Sequence, residues 1–202
     1  MPKPRKTQSR DVRKRILIIC EGEKTEPLYF TGIKNDIRAS ALNIQISKRP
    51  KNSALQLVEE AIELKEIAKS ENNEYDSIWI VIDKDSYSKF EETVSMAESN
   101  GINIAFSSIS FEIWYLLHFK FTSKPWSKYS DIEKELLKYI PDYYKSNSDM
   151  YEKLKDKTST AITNAKKLRE HHKSDLESGT KVYELDAYTN VDELVELLIK
   201  EE

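Results

Sequence analysis

Two short apolar runs, each ending in carboxylates, constrain this chain more than any other feature. Ile16-Leu17-Ile18-Ile19-Cys20 leads directly into Glu21-Gly22-Glu23-Lys24-Thr25-Glu26, and further on Ile78-Trp79-Ile80-Val81-Ile82 leads into Asp83-Lys84-Asp85. An apolar run without alternation is the pattern of a strand buried on both faces of a parallel sheet. In an open α/β sheet, ligands bind outside the carboxyl ends of the strands. If the two strands are neighbours, Glu21, Asp83 and Asp85 converge on one small volume. Carboxylates packed that closely repel one another unless a hard cation neutralises them, and Mg²⁺ is the usual one, held by one or two carboxylates and partly hydrated.

The rest of the first half supports such a sheet. Arg15 to Cys20 reads as the first strand, and a helix with Pro27 in its first turn should run to about Arg38. Asn43 to Ser47 alternates like a second strand, and Asn52 or Ser53 then caps a helix carrying Leu55, Val58, Ala61 and Ile62. After the strand Ile78–Ile82, a helix opens at Ser88 and stops at Asn100-Gly101, and Ile102 to Phe106 is a fourth strand. The order βαβαβαβ predicts a mainly parallel, four-stranded, Rossmann-like α/β sheet with right-handed crossovers and flanking helices. Beyond Ser107 the texture becomes helical. The segments 110–121, 129–140, 148–156, 159–174 and 191–200 are expected as helices, the first of them buried. The reading divides the chain into an arm (1–14), a sheet domain (15–120) and a helical cap packed on it (121–202).

Charge separates the arm from the body. Residues 1–15 carry Lys3, Arg5, Lys6, Arg10, Arg13, Lys14 and Arg15 against Asp11, although the whole chain of 202 residues has a formal charge of −3. A basic arm on an acidic body suits a phosphate backbone, and equally a solubilising tail or one docked on the protein's own acidic face. Cys20 is the only cysteine, so no intrachain disulfide can form, which fits a reducing cytoplasm. At the end of a buried strand it reads as a core thiol. No apolar run approaches the ~20 residues of a membrane span, and no secretory signal is evident.

Each motif also has a plain reading. Glu23 and Glu26 can simply complement the positive N-terminus of the following helix, and Gly22 allows a tight turn and close approach by a ligand. G-x-G-x-x-G and G-x-x-x-x-G-K-[ST] are missing, which excludes the ordinary dinucleotide and P-loop readings. Asp83-Lys84-Asp85 can hold one ion or bridge two, or can be a solvated turn. Glu112 sits among Phe111, Ile113 and Trp114, where an unpaired carboxylate is costly, so it either has a metal or lysine partner or points outward. His118 reads as a hydrogen-bonded core histidine, and His171 and His172 as solvent-exposed. No His/Cys spacing suggests zinc.

Together these strings resemble a known group. Strand-Glu-Gly followed by strand-Asp-x-Asp on this frame resembles the Toprim domain of topoisomerases, bacterial primases and OLD-type nucleases. The fuller pattern resembles the RloB-like family, related to AbiL-type abortive infection proteins. It comprises Cys20-Glu21-Gly22-Glu23-Lys24-Thr25-Glu26-Pro27 with Tyr29-Phe30, Asp83-Lys84-Asp85, and Phe111-Glu112-Ile113-Trp114 with Leu117-His118-Phe119. The segments Ala161–Ala165 and Thr189-Asn190-Val191 look similar as well. One departure is Ser108-Ile109-Ser110, where relatives often have a proline.

The resemblance implies a Toprim site in which Glu21 acts as general acid/base or metal ligand and Asp83 and Asp85 bind Mg²⁺ or Mn²⁺. Glu26 and Glu112 would complete a second metal position. Lys24, Lys84 or Lys145 would stabilise phosphoryl charge, with Arg13, Lys14 and Arg15 on the nucleic acid. The expected function is a metal-dependent nuclease in prokaryotic antiphage defence, partnered by an AAA or ABC-type ATPase. A homo-oligomer is left open. The alternatives are a non-hydrolytic nucleic-acid- or nucleotide-binding module regulating that ATPase, and nucleotidyl transfer as in Toprim primases.

Overall fold

A strand buried on both faces needs a layer of helices on each side, and the chain supplies them from two different stretches. The computed structural model describes residues 14–37, 42–46, 54–84 and 89–200, with the backbone path alone for 42–46. The strands are β1 (Ile16–Cys20), β2 (Leu42–Ile46), β3 (Ser77–Asp83), β4 (Asn103–Ser108) and β5 (Tyr188–Thr189). The helices are α1 (Thr25–Asp36), α2 (Ala54–Ser70), α3 (Phe90–Ser99), α4 (Glu112–Leu117), α5 (Tyr129–Leu136), α6 (Met150–Leu154), α7 (Thr158–His171), α8 (Lys173–Glu177) and α9 (Val191–Lys200).

The sheet order is β2-β1-β3-β4-β5, parallel except for β5, which runs antiparallel to β4. From β1 the chain steps outward to β2, then returns across β1 to β3. The strand order therefore reverses between β1 and β3, and that gap is the switch point where open α/β sheets bind ligands. Cys20 pairs with Val81, so the residues following β1 lie beside the end of β3.

Side-chain alternation divides the core in two. Ile16, Ile18, Cys20, Trp79 and Val81 face α1, α4 and the C-terminal helices. Leu17, Ile19, Ile78, Ile80 and Ile82 face α2 and α3. Every side chain of these runs is removed from water, the outcome expected of an unbroken apolar run.

The C-terminal helices are built into the first of these cores. Leu136, Leu154, Leu168 and Leu198 share one apolar cluster with β1 and α1. Gly32 makes that approach close: a Cβ there would lie 2.4 Å from Cβ of Tyr151, so only glycine lets α6 seat on α1. The Tyr151 hydroxyl donates to Asp36 at 2.9 Å. Asn164 donates to the Leu117 carbonyl at the end of α4 (2.8 Å). Asn190 accepts from the Phe106 N–H at 2.7 Å and donates to the Ile104 carbonyl at 3.0 Å, serving as a hydrogen-bonding neighbour for β4. These pairings give Asn164 and Asn190 structural roles, because a buried backbone group without a partner costs about as much as a lost hydrogen bond.

Several sequence expectations need adjustment. The buried helix expected over 110–121 is confined to Glu112–Leu117, its ends tightened by Trp114 N–H to Phe111 and His118 N–H to Tyr115. The preceding turn carries a cis Ser108–Ile109 peptide. The expected helix 159–174 stops at His171 and restarts as α8. His172 is not exposed: at 8% exposure its Nε2 is 2.7 Å from the Ala187 carbonyl, because the helix break turns the ring inward. The fifth strand was missed, since two residues have no period to read. The candidate caps Asn52 and Ser53, the helix start at Ser88 and the helix end at Arg38 lie outside the described residues, as does the arm up to Arg13.

Candidate functional site

The site forms where β1 and β3 end side by side. The backbone N–H of Glu21 donates to the Val81 carbonyl (2.9 Å), extending the ladder one residue past β1. In return, the Glu21 carboxylate accepts from the Asp83 N–H at 3.1 Å. The two strand ends are thus tied together through a functional side chain. Thr25 and Glu26 follow in the first turn of α1, and both are buried.

Gly22 is explained by Glu26. A Cβ at Gly22 would lie 2.0 Å from Glu26 Oε2 and 2.6 Å from its carboxyl carbon. The space that the sequence assigned to an approaching ligand is filled by the protein's own carboxylate, folded back over the loop. Glu112, at the start of α4, is 1% exposed and accepts from the Tyr143 hydroxyl at 2.8 Å. Its partner is therefore a tyrosine rather than lysine.

Electrostatics shows how tightly these acids are grouped. The Asp83 carboxyl is held well above the ordinary aspartate range, first by burial and then by the charges of Glu26, Glu112 and Glu21. Its Oδ1 is buried and has no hydrogen-bond partner among the described residues. Glu26 is 4% exposed and is pushed up to about 7, mainly by burial, with Glu112 and Glu21 adding repulsion against a backbone hydrogen bond and Lys145. Burial and the nearby Glu112 charge also raise Tyr115 and Tyr143. Like charges in a desolvated space disfavour ionisation. Without a bound ion, Asp83 and Glu26 hold their protons to higher pH than free carboxyls do.

An open cleft of about 510 Å³ lies over the carboxylates, lined by Glu21, Gly22, Glu23, Lys24, Thr25, Glu26, Asp83, Lys145 and Ser146. Lys145 comes from the loop between α5 and α6, and its backbone is fixed there: Thr25 Oγ1 donates to the Lys145 carbonyl at 2.9 Å. Its ammonium lies 4.8 Å from the centre of the Tyr129 ring, a cation–π contact that holds the charge over the site. Of this loop the sequence indicated Lys145 alone. Tyr143 and Tyr129 have no periodicity or motif to announce them.

Other expected residues lie elsewhere. Lys84 turns its ammonium to the Leu185 carbonyl (3.2 Å) and Asp186 (3.6 Å). Arg15 lies at the opposite end of β1 from Glu21, roughly 20 Å away at the rise of a strand. There its N–H donates to Asp76, its guanidinium donates to the Glu74 carbonyl, and it covers the Tyr75 ring at 4.6 Å. Lys14 precedes it and is likewise remote. Asp85 and Arg13 lie outside the described residues. His118 is buried, lies with Nδ1 2.9 Å from the Trp114 carbonyl and is lowered to about 4 by desolvation, so it is a neutral core residue.

The cluster has the chemistry of a hard-cation site: oxygen donors only, one orphaned oxygen, and acids whose ionised forms oppose one another. Among the described residues, no three His, Cys, Asp or Glu side chains already stand around a single point. Glu21, Glu26, Asp83 and Glu112 are the side chains that would supply donors to an ion, and Asp85 stands two positions after Asp83 in the chain.

A Rossmann-like α/β sheet with an acid cluster at its switch point defines the class of protein. Within that class, the RloB-like protein family model matches residues 16–198, nearly the whole chain, and the protein belongs to this family. No curated protein sequence matches it. Among the described residues, no helix is long and apolar enough to cross a membrane.

Proposed function

We propose that this protein is an Mg²⁺- or Mn²⁺-dependent phosphodiesterase of the Toprim kind, a nuclease acting on DNA or RNA. The observation that carries the reading is Asp83. It is a half-buried aspartate whose buried Oδ1 has no partner among the described residues, grouped with three further carboxylates where an open sheet binds ligands. A structural role gives no reason to bury so many like charges together, and a cation does.

Glu21, Glu26, Asp83 and Glu112, with Asp85, would hold the ion. Bound there, it would supply Lewis-acid charge stabilisation to a phosphoryl oxygen and lower the pKa of attached water. The protein's own contributions follow from the geometry. The Glu21 carboxylate fixes the turn after β3 by accepting from the Asp83 N–H. Glu26, raised to about 7 in the ion-free protein, would give up its proton on binding the ion. Lys145 and Lys24 put positive charge on the cleft wall, where a phosphate meets it. Family membership extends the proposal to antiphage defence in the cytoplasm beside an AAA or ABC-type ATPase.

The test is cleavage of labelled single- and double-stranded DNA and RNA with Mg²⁺ or Mn²⁺, with Asp83→Ala in parallel and far-UV circular dichroism to show that the variant folds. Wild-type cleavage that EDTA and Asp83→Ala each abolish is the expected result. Undiminished cleavage by Asp83→Ala sinks the assignment. So does a wild type that neither cleaves nor is stabilised against heat by either ion.

A further inference from the structure

The loop that brings Lys145 to the cleft also carries an aromatic ring that the fold does not use. Tyr144 is 58% exposed, although it lies between two anchored residues. Tyr143 on one side is buried and donates to Glu112. Lys145 on the other side has its carbonyl bonded to Thr25 and its ammonium over Tyr129. The loop closes on itself as well: Tyr143 N–H donates to the Ile140 carbonyl and Asn147 N–H to the Tyr144 carbonyl, both at 3.0 Å. Asn147 Oδ1 then accepts from the Asp149 N–H at 3.1 Å.

The backbone at Tyr144 is therefore anchored on both sides while the ring stays in water. A flexible loop tip would lose ordering entropy on using such a ring, whereas this one has already been ordered by the fold. Its Cα is about 3.8 Å from that of Lys145, a residue of the carboxylate cleft. An exposed ring one residue along the chain from a cleft-lining cation suits a nucleotide unit, with a base for the ring and a phosphate for the ammonium. In a duplex the base faces are covered by their neighbours, so only an unpaired base can use such a platform.

Resting on the nuclease reading above, we propose that the substrate is single-stranded nucleic acid and that Tyr144 stacks on an unpaired base beside the phosphate held at Lys145. Tyr144 thereby selects the substrate and contributes to binding, while the chemistry stays with the carboxylates.

The test is fluorescence anisotropy with a labelled single-stranded oligonucleotide, the matching duplex and an all-abasic strand of equal length. Ca²⁺ replaces Mg²⁺ so that nothing is cut. The wild type should bind the single strand at least 10-fold tighter than the duplex. Tyr144→Ala should lose roughly 5- to 100-fold on the single strand, Tyr144→Phe and Tyr144→Trp should keep most of the affinity, and the abasic strand should not distinguish Tyr144→Ala from wild type. Equal binding of duplex and single strand, unchanged binding by Tyr144→Ala, or an equal loss on the abasic strand overturns the proposal. Hydrolysis of bis(p-nitrophenyl) phosphate by the wild type with Mn²⁺ reads the carboxylate site separately. Its absence in the wild type would count against the nuclease reading and leave the binding result to decide on Tyr144.

Discussion

The protein buries carboxylates in two places and neutralises them in opposite ways. In the C-terminal half, Asp192 on α9 is 0% exposed and is met by the guanidinium of Arg169 on α7. Both of its oxygens are used, one bonded to Arg169 Nη1 and the other to Nη2 at 2.7 Å. Arg169 also donates to the Thr189 carbonyl at 3.2 Å, so one cation joins α7, α9 and β5. At the switch point, Glu26 is buried almost as deeply and Asp83 is half-buried, but both face other acids, and the buried Oδ1 of Asp83 has no partner among the described residues. A fixed internal cation makes a buried acid part of the scaffold. Where acids face one another instead, Asp83 and Glu26 hold their protons to higher pH than free carboxyls, and an ion from outside favours their ionised forms.

The largest effect should come from breaking the internal pair. Arg169→Ala strands the Asp192 charge in a dry place and should cost about 3–5 kcal/mol of stability. The Arg169→Ala Asp192→Ala double variant should recover part of that loss, since no bare charge remains. Urea unfolding of the three proteins checks this. At the other site, Asp83→Asn should behave in the reverse manner, with unchanged or slightly higher stability in EDTA and no remaining Mg²⁺-dependent rise in Tm. A loss of several kcal/mol in Asp83→Asn would mean that its charge is structurally paired after all.

The same contrast should appear in the pH dependence of the metal-free protein. Glu26 titrates near 7 when folded, against an ordinary value of 4.5, so the folded form holds its proton more tightly than the unfolded chain does. That stability is complete below about 4.5 and is lost as pH rises through about 7, an effect of order 3 kcal/mol. Asp83 shifts in the same direction. In EDTA, then, unfolding should become easier between pH 5 and 8. With saturating Mg²⁺ the slope should flatten or reverse, because the ion binds the ionised acids, and its affinity should climb with pH across the same window. Urea midpoints at several pH values, with and without Mg²⁺, decide the matter, and identical slopes would separate Glu26 from ion binding.

What could be read in advance followed from strict geometric constraints. An apolar run buried on both faces fixes where its next residue must emerge, so Glu21 and Asp83 were legible as residues that converge if their two strands are neighbours. Register then supplied the detail that Cys20 lies beside Val81. Glu26 was legible as a helix-start acid, but its return over Gly22 was not, because glycine reports only that space is needed and not what fills it. The loop bearing Tyr143, Tyr144 and Lys145 had no repeat to read. Its position depends on long-range bonds such as Thr25 to Lys145, which join residues far apart in sequence. The Arg169–Asp192 pair escaped notice for the same reason, since two charged residues on separate amphipathic helices look like surface residues until the helices pack.

The smallest effect should be the most specific. Tyr143→Phe removes one hydroxyl and leaves the ring, so the apolar packing around α5 should survive, with a stability loss of about 1–3 kcal/mol from the unpartnered Glu112 oxygen. If Glu112 belongs to the ion's surroundings, losing the hydrogen bond that orients it should weaken Mg²⁺ or Mn²⁺ binding about 10-fold. The Arg169 pair has no such connection, so its double variant should bind the ion as the wild type does. Calorimetric titration of both proteins makes the comparison. A Tyr143→Phe protein with wild-type ion affinity would move Glu112 from the ion site into the scaffold, alongside Asp192, as an acid neutralised by the protein's own groups.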